Sequence, residues 1–147
     1  MKFLVTGGAG YIGSHMVKFL LKKKHKVTVL DKLKNGKRSF IGKADFLKLD
    51  LCNKEKLDKA ISKKKFDAVF HFAALSIISE SQNEPNKYYK NNVIGTKNLI
   101  NIMIKYKINN LIFSSSASVY GMPRKNKIFE THSTIPVSNY GKNKLEI

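Results

Sequence analysis

Cysteine is almost missing from this chain. A single residue in 147, Cys52, excludes an internal disulfide and any metal site built on a cysteine cluster. Long apolar stretches are missing too. No run approaches the roughly 20 residues of a membrane helix, and with the apolar run Phe3-Leu-Val5 entering a strand directly, no signal peptide is expected. A cytosolic protein without a metal is the simplest reading. Acidic residues are few, 10 against 28 basic ones, for a net charge of +18. Such a balance can mark a nucleic-acid binder. Arginine, however, is confined to Arg38 and Arg124. The other basic residues are lysines, as in Lys22-Lys23-Lys24 and Lys63-Lys64-Lys65, where solvated helix faces are expected. Abundant Lys, Asn and Ile together are what an AT-rich coding sequence produces. Neither nucleic acid nor a membrane is therefore expected as a partner. The charge should attract anionic ligands and oppose self-association at low salt. With 42% hydrophobic residues, the chain can bury the core of one domain.

What is present is concentrated in residues 3–13, Phe-Leu-Val-Thr-Gly-Gly-Ala-Gly-Tyr-Ile-Gly. A short apolar run leads into Gly7, Gly10 and Gly13, spaced three apart, and then into the apolar-periodic segment Tyr11, Ile12, Met16, Val17, Phe19, Leu20. Strand, glycine turn and helix together form a pyrophosphate cradle. Glycine lets the backbone approach the phosphates, and the helix N-terminus offers N–H groups and partial positive charge. Asp31 ends the next apolar run, 18 residues past Gly13. That is close to where an acid accepts hydrogen bonds from an adenosine ribose. The competing reading is a glycine-rich turn with no ligand.

Strand and helix patterns alternate along the chain. Strands are expected at Lys2–Thr6, Lys26–Asp31, Ala44–Leu51, Asp67–Ala73 and Asn110–Ser115. Helices are expected at Tyr11–Lys23, at Lys54–Lys65 behind an Asn53 N-cap, at Asn86–Lys105 with Tyr89, Val93, Thr96 and Ile100 along one side, and from Ser138 onward. Residues 32–43, with the turn signal Asn35-Gly36, read as a loop, as do residues 74–85, stopped by Pro85. Residues 116–137, with Pro123 and Pro136, read as irregular. This alternation predicts a doubly wound parallel α/β sheet in the order 3-2-1-4-5. Ligands bind such sheets at the carboxyl ends of the strands. The glycine turn, Asp31, Asp50, Phe72-Ala73-Ala74 and Ser114–Ser116 all fall there.

Tyr140-Gly-Lys-Asn-Lys144 puts a phenol and an ammonium four residues apart on one helix face. A free tyrosine is a poor base at pH 7. Lowering its pKa by about three units takes roughly 4 kcal/mol, which a neighbouring Lys⁺ and a cationic nicotinamide would favour. The spacing alone is weak evidence in so lysine-rich a chain, where a surface tyrosine and a solvated lysine are the plain alternative. The glycine turn upstream and the serines at a strand end give it weight.

Taken together, Thr6-Gly-Gly-Ala-Gly-Tyr-Ile-Gly-Ser-His15, Asp31, Asp50-Leu51, His71-Phe-Ala-Ala74, Glu80-Ser81, Tyr88-Tyr-x-Asn-Asn92, Ser114-Ser-Ser-Ala-Ser-Val-Tyr-Gly121 and Ser138-x-Tyr140-Gly-Lys-x-Lys144 resemble the extended, nucleotide-sugar branch of the short-chain dehydrogenase/reductase superfamily. The resemblance runs along the whole chain. It implies a Rossmann-like domain over residues 1–147 that binds NAD through Gly7, Gly10, Tyr11, Ile12, Gly13, Asp31, Asn35, Asp50, Leu51, Phe72, Ala73, Ala74, Asn91, Ser114, Tyr140 and Lys144. It also implies a catalytic trio. Tyr140 would be the base toward a hexose 4-hydroxyl, Ser116 would bond the same oxygen, and Lys144 would hold the nicotinamide ribose and tune Tyr140. Within the branch, dehydratases place an Asp-Glu pair just before Val-Tyr-Gly; here Ala117 and Ser118 stand there, so simple redox at C4 fits better. The implied reaction is epimerisation of a UDP-hexose, UDP-glucose to UDP-galactose and back, as in galactose metabolism. Another nucleotide sugar of the branch and a non-catalytic dinucleotide-binding remnant are the alternatives. Ser76 replaces a lysine that some members carry, and Lys32 replaces a common asparagine; Asp31 still argues for NAD over NADP. The family pattern continues past Ile147 into further strands and a substrate domain. The chain is therefore expected to be an N-terminal portion, homodimeric only when complete and unable to epimerise sugar nucleotides alone.

Overall fold

The computed structural model describes residues 1–122 and 127–147; Pro123 and Arg124, noted in the sequence, lie outside them. In chain order the elements are β1 (Lys2–Thr6), α1 (Tyr11–Lys22), β2 (Lys26–Asp31), β3 (Asp45–Lys48), α2 (Lys54–Ile61), β4 (Ala68–His71), α3 (Ile78–Asn83), α4 (Pro85–Tyr89), a π-turn (Lys90–Ile94), α5 (Gly95–Lys105), β5 (Leu111–Phe113) and α6 (Asn139–Glu146), with single 3₁₀ turns at Arg38–Ile41 and Ala117–Tyr120. The chain divides into two compact units: residues 1–74 with 98–114, and residues 75–97 with 115–147.

The first unit holds the sheet. Its order is β3-β2-β1-β4-β5, as expected, and every pairing among the described residues is parallel. Alternation along the strands builds the two faces. Phe3, Val5, Val27, Val29 and Ala68 pack with Val17 and Leu20 of α1 and with Ile41. Leu4, Leu30 and Val69 pack on the other face with Leu57 and Ile61 of α2 and with Leu99, Ile102 and Met103 of α5. α2 starts as expected, with Asn53 Oδ1 accepting from Lys56 N at 3.0 Å, but it stops at Ile61 rather than Lys65. After Ile61 no apolar side chain returns to the core before Phe66. β3 is also shorter than expected. The chain leaves it to form a turn in which Asp50 Oδ1 accepts from Cys52 N at 3.0 Å.

α1 and α5 end in the same device. Lys24 N bonds Leu21 O and His25 N bonds Leu20 O; Lys107 N bonds Ile104 O and Ile108 N bonds Met103 O. These are Schellman closures whose left-handed residue is normally glycine, yet Lys24 sits there at φ 60° and Lys107 at φ 54°. A left-handed residue with a Cβ costs about 1–2 kcal/mol. Lys24→Gly is therefore expected to raise unfolding free energy by about 1 kcal/mol in a urea titration, and Lys107→Gly similarly. A loss of stability in both variants would contradict this account.

The second unit departs most from the sequence reading. The segment read as a loop contains α3, and Pro85 opens α4 at its first turn instead of stopping a loop, a position where its missing N–H is harmless. The long helix expected over 86–105 is interrupted by the π-turn. One residue is added to the turn, so the buried tyrosine lies five residues before Val93 rather than four: Tyr88 is 0% exposed, whereas Tyr89 is 39% exposed. Tyr88 donates to Glu80 Oε2 at 2.7 Å, and its hydroxyl accepts from Ile77 N at 3.2 Å. Asn92 clamps Leu75, accepting from its N–H at 2.8 Å and donating to its carbonyl at 2.9 Å. Glu146 of α6 accepts from Lys97 at 2.8 Å and from Tyr89 at 2.9 Å.

Candidate active site

The residues singled out in the sequence fall into two groups, one in each unit. Gly7, Gly10, Tyr11, Ile12, Gly13, Asp31, Asn35, Asp50, Leu51, Phe72, Ala73, Ala74 and Ser114 belong to the first; Asn91, Ser116, Tyr140 and Lys144 belong to the second.

In the first unit the turn after β1 is shaped by what a side chain would strike. Gly7 has φ 69°, and a Cβ there would lie 2.5 Å from Ala73 N. A Cβ on Gly13 would lie 2.2 Å from Gly7 O. Gly10 differs: its Cβ would meet only Gly7 O, at 3.3 Å, and otherwise open space. Gly10 is also the N-cap of α1. No side chain caps the helix there, and the first turn holds no acid. The first-turn amides thus have no side-chain cap, and the position beside Gly10 is open, as a phosphate cradle requires. Asp31 ties the cradle to β2. Its Oδ2 accepts from Ala9 N at 3.1 Å and its Oδ1 from Leu33 N at 2.8 Å. Gly36, read only as a turn signal, packs against the same loop: Lys37 N bonds Ala9 O at 3.0 Å, and a Cβ on Gly36 would lie 2.8 Å from Ala9 O. Neighbouring Asn35 is exposed.

The remaining candidates of this unit also have structural contacts. Leu51 is buried in the core and its carbonyl accepts from Asn98 at 3.0 Å. Phe72 stacks on Phe70, and Ala73 packs against the Leu4 side of the core. Ser114 N bonds His71 O at 3.2 Å. Asp50 keeps a lowered pKa. Burial raises it, but the bonds from Cys52 N and from Lys32 together hold it down.

In the second unit the 3₁₀ turn Ala117–Tyr120 and α6 bring the trio together. Ser116 caps the turn, accepting from Ser118 N at 3.1 Å, which leaves its O–H to donate, and it stands close enough to Tyr140 to favour the ionised phenol. Ser138 caps α6 by accepting from Gly141 N at 3.0 Å. Gly141 is the unforeseen requirement: a Cβ there would lie 2.6 Å from Ser118 O, so only glycine lets the helix and the turn approach this closely. Tyr140 N donates to Ser81 Oγ at 3.2 Å, which fixes the start of the helix. Lys144 Nζ lies 5.8 Å from the centre of the Tyr140 ring. Asn91 donates to Asn92 Oδ1 at 2.9 Å within the π-turn.

Burial governs the electrostatics of this trio. Lys144 is 6% exposed, and desolvation pushes its ammonium down to about 8. Burial pushes the Tyr140 phenol up, countered in part by Ser116. The protein alone therefore holds Tyr140 protonated at neutral pH. Asn143, between the two on α6, is also 6% exposed, and its Nδ2 is the buried side-chain atom among the described residues without a hydrogen-bond partner. Such a donor awaits a water or a ligand oxygen. No spacing rule in the sequence marks it. Among the described residues no three of His, Cys, Asp and Glu gather as a metal site, and no helix is long and apolar enough to cross a membrane.

The family model for the NAD dependent epimerase/dehydratase family matches residues 3–147. The chain belongs to that family. A UDP-glucose 4-epimerase of Halalkalibacterium halodurans is 44% identical over 147 residues, covering all of this chain and 44% of the relative. The chain thus spans less than half the length of this curated relative. Among solved structures, a UDP-Glc/GlcNAc 4-epimerase from Campylobacter jejuni matches with a TM-score of 0.95 and 39% identity, over 99% of this chain and 46% of that one. A UDP-glucose 4-epimerase from Brucella ovis, solved in complex with NAD, matches with a TM-score of 0.94 and 39% identity, over 98% of this chain and 44% of that one. This family member therefore has solved counterparts that share its fold.

Proposed function

We propose that this chain provides the NAD cradle and the proton-transfer groups of a UDP-hexose 4-epimerase, interconverting UDP-glucose and UDP-galactose in the cytosol. The observation that carries the reading is the assembly of Ser116, Tyr140 and Lys144 by one turn and one helix: Gly141 lets α6 close on the turn that Ser116 caps, and Lys144 Nζ lies 5.8 Å from the centre of the Tyr140 ring. Gly7, Gly10, Tyr11, Ile12 and Gly13 would hold the pyrophosphate and Asp31 the ribose of the adenosine. Bound NAD supplies the acceptor for the C4 hydride and its return. Tyr140 takes the proton of the sugar 4-hydroxyl, and Ser116 hydrogen-bonds the same oxygen. Lys144 lies close enough to stabilise the phenolate by charge. None of these residues is assigned to uridine, so the chain alone is expected to bind NAD without turning sugar over.

The test grafts residues 1–147 in place of the matching segment of the Halalkalibacterium halodurans relative. The chimera is expected to convert UDP-galactose to UDP-glucose, and Tyr140→Phe to lower kcat by at least about a hundredfold with NAD binding kept. Full turnover in Tyr140→Phe would refute the assigned base. A second substrate is tried beside it, UDP-N-acetylgalactosamine, because the similar Campylobacter jejuni protein is described as acting on both sugar types.

A further inference from the structure

Asp31 is followed by Lys32, a cation next to the acid expected on the adenosine ribose, of the kind that can accommodate a 2′-phosphate. The overall charge of +18 would favour that phosphorylated form, since it carries more negative charge. Fields from distant lysines are largely screened beyond about 8 Å at physiological salt, however, so the choice falls to the groups at the strand ends. There the geometry is specific. The backbone around Lys32 is pinned on Asp31, whose Oδ1 accepts from Leu33 N at 2.8 Å, with Leu33 at φ 58°. β2 and β3 run parallel with Asp31 opposite Lys48, which brings Asp50 beside the end of β2. Lys32 Nζ is bonded to Asp50 Oδ2 at 3.1 Å, and Asp50 is itself held by Cys52 N. The cation is therefore engaged by a carboxylate, and the three side chains together carry one net negative charge.

We propose that the Lys32–Asp50 ion pair sets the choice of dinucleotide: Asp50 occupies the lysine that would otherwise recognise a 2′-phosphate, so NAD is selected over NADP. This rests on the reading that a dinucleotide lies on the glycine turn. The pair is partly open to solvent, 34% and 42% by side chain, so its removal should perturb binding more than folding.

The test titrates NAD⁺ and NADP⁺ into the full chain at physiological salt. The unaltered chain binds NAD⁺ the more tightly. Asp50→Asn, which keeps an acceptor for Cys52 N, narrows the ratio of the two dissociation constants about tenfold. Adding Lys32→Gln to that variant restores the wide ratio. If Asp50→Asn does not fold, as judged by its melting curve, Asp50→Ser is read in the same way. An unchanged ratio overturns the inference. So does a ratio that stays narrow without Lys32, since the lysine would then have no part in it. No binding of either dinucleotide to the unaltered chain overturns the functional reading and this inference with it, a result distinct from an unchanged ratio.

Discussion

Gly13→Ala is expected to destabilise the fold by at least about 2 kcal/mol, while Gly10→Ala leaves stability nearly unchanged and loses NAD. The two glycines belong to one sequence pattern, but they meet different surroundings. The added carbon at Gly13 lies 2.2 Å from Gly7 O, 2.8 Å from Gly8 Cα and 2.9 Å from Gly7 C. All three are backbone atoms, so no rotamer relieves the clash; α1 must move off the sheet and uncover Val17 and Leu20. At Gly10 only Gly7 O lies within contact, at 3.3 Å. The methyl group there enters the space in front of the α1 amides, and a pyrophosphate that needs that space is excluded. Thermal melts should separate the variants without ligand, and titration with NAD⁺ should show Gly10→Ala weakened more than tenfold. Equal stability for the two variants would refute the steric account.

Lys144→Met is expected to make the protein more stable at pH 7. A buried ammonium whose pKa falls from 10.5 to about 8 is destabilised in the folded state, by up to about 3 kcal/mol. Methionine has a similar reach without the charge. The pH dependence has a definite sign. Below pH 8 the lysine is charged both folded and unfolded, and the full desolvation penalty acts on the fold. Between pH 8 and 10.5 the unfolded chain binds more protons, so the stability of the unaltered protein rises with pH. The advantage of Lys144→Met should therefore be largest at pH 7 and shrink toward pH 10.5, measured as the difference in unfolding free energy. A constant difference across that range would show that packing rather than charge is responsible. The same substitution should remove epimerisation in the grafted enzyme, because Tyr140 loses its neighbouring cation. Stability and activity would then oppose each other at one residue, as at many active sites.

Local chemistry is what the sequence by itself determined. The glycine turn, Asp31 at the end of β2, the Asn53 cap and the helix start at Ser138 are each set by residues within a few positions of one another, and they stand where expected. Alternating strand and helix signals then restrict the topology to a parallel sheet with its order running outward from β1. The resemblance of motifs carried the candidate trio. What only the tertiary structure decided is everything that depends on distant atoms. A helix periodicity drawn through 86–105 selected Tyr89, but the π-turn moves the buried position to Tyr88, and nothing local announces an i→i+5 turn. Gly36 and Gly141 looked like ordinary turn and helix residues until Ala9 and Ser118 were found against them. Asp50 and Lys32 are 18 residues apart, and the parallel pairing of β2 with β3 makes them an ion pair. The pKa of Lys144 depends on burial alone, and burial is a property of the packed chain, not of the Tyr-x-x-x-Lys spacing that first drew attention to it.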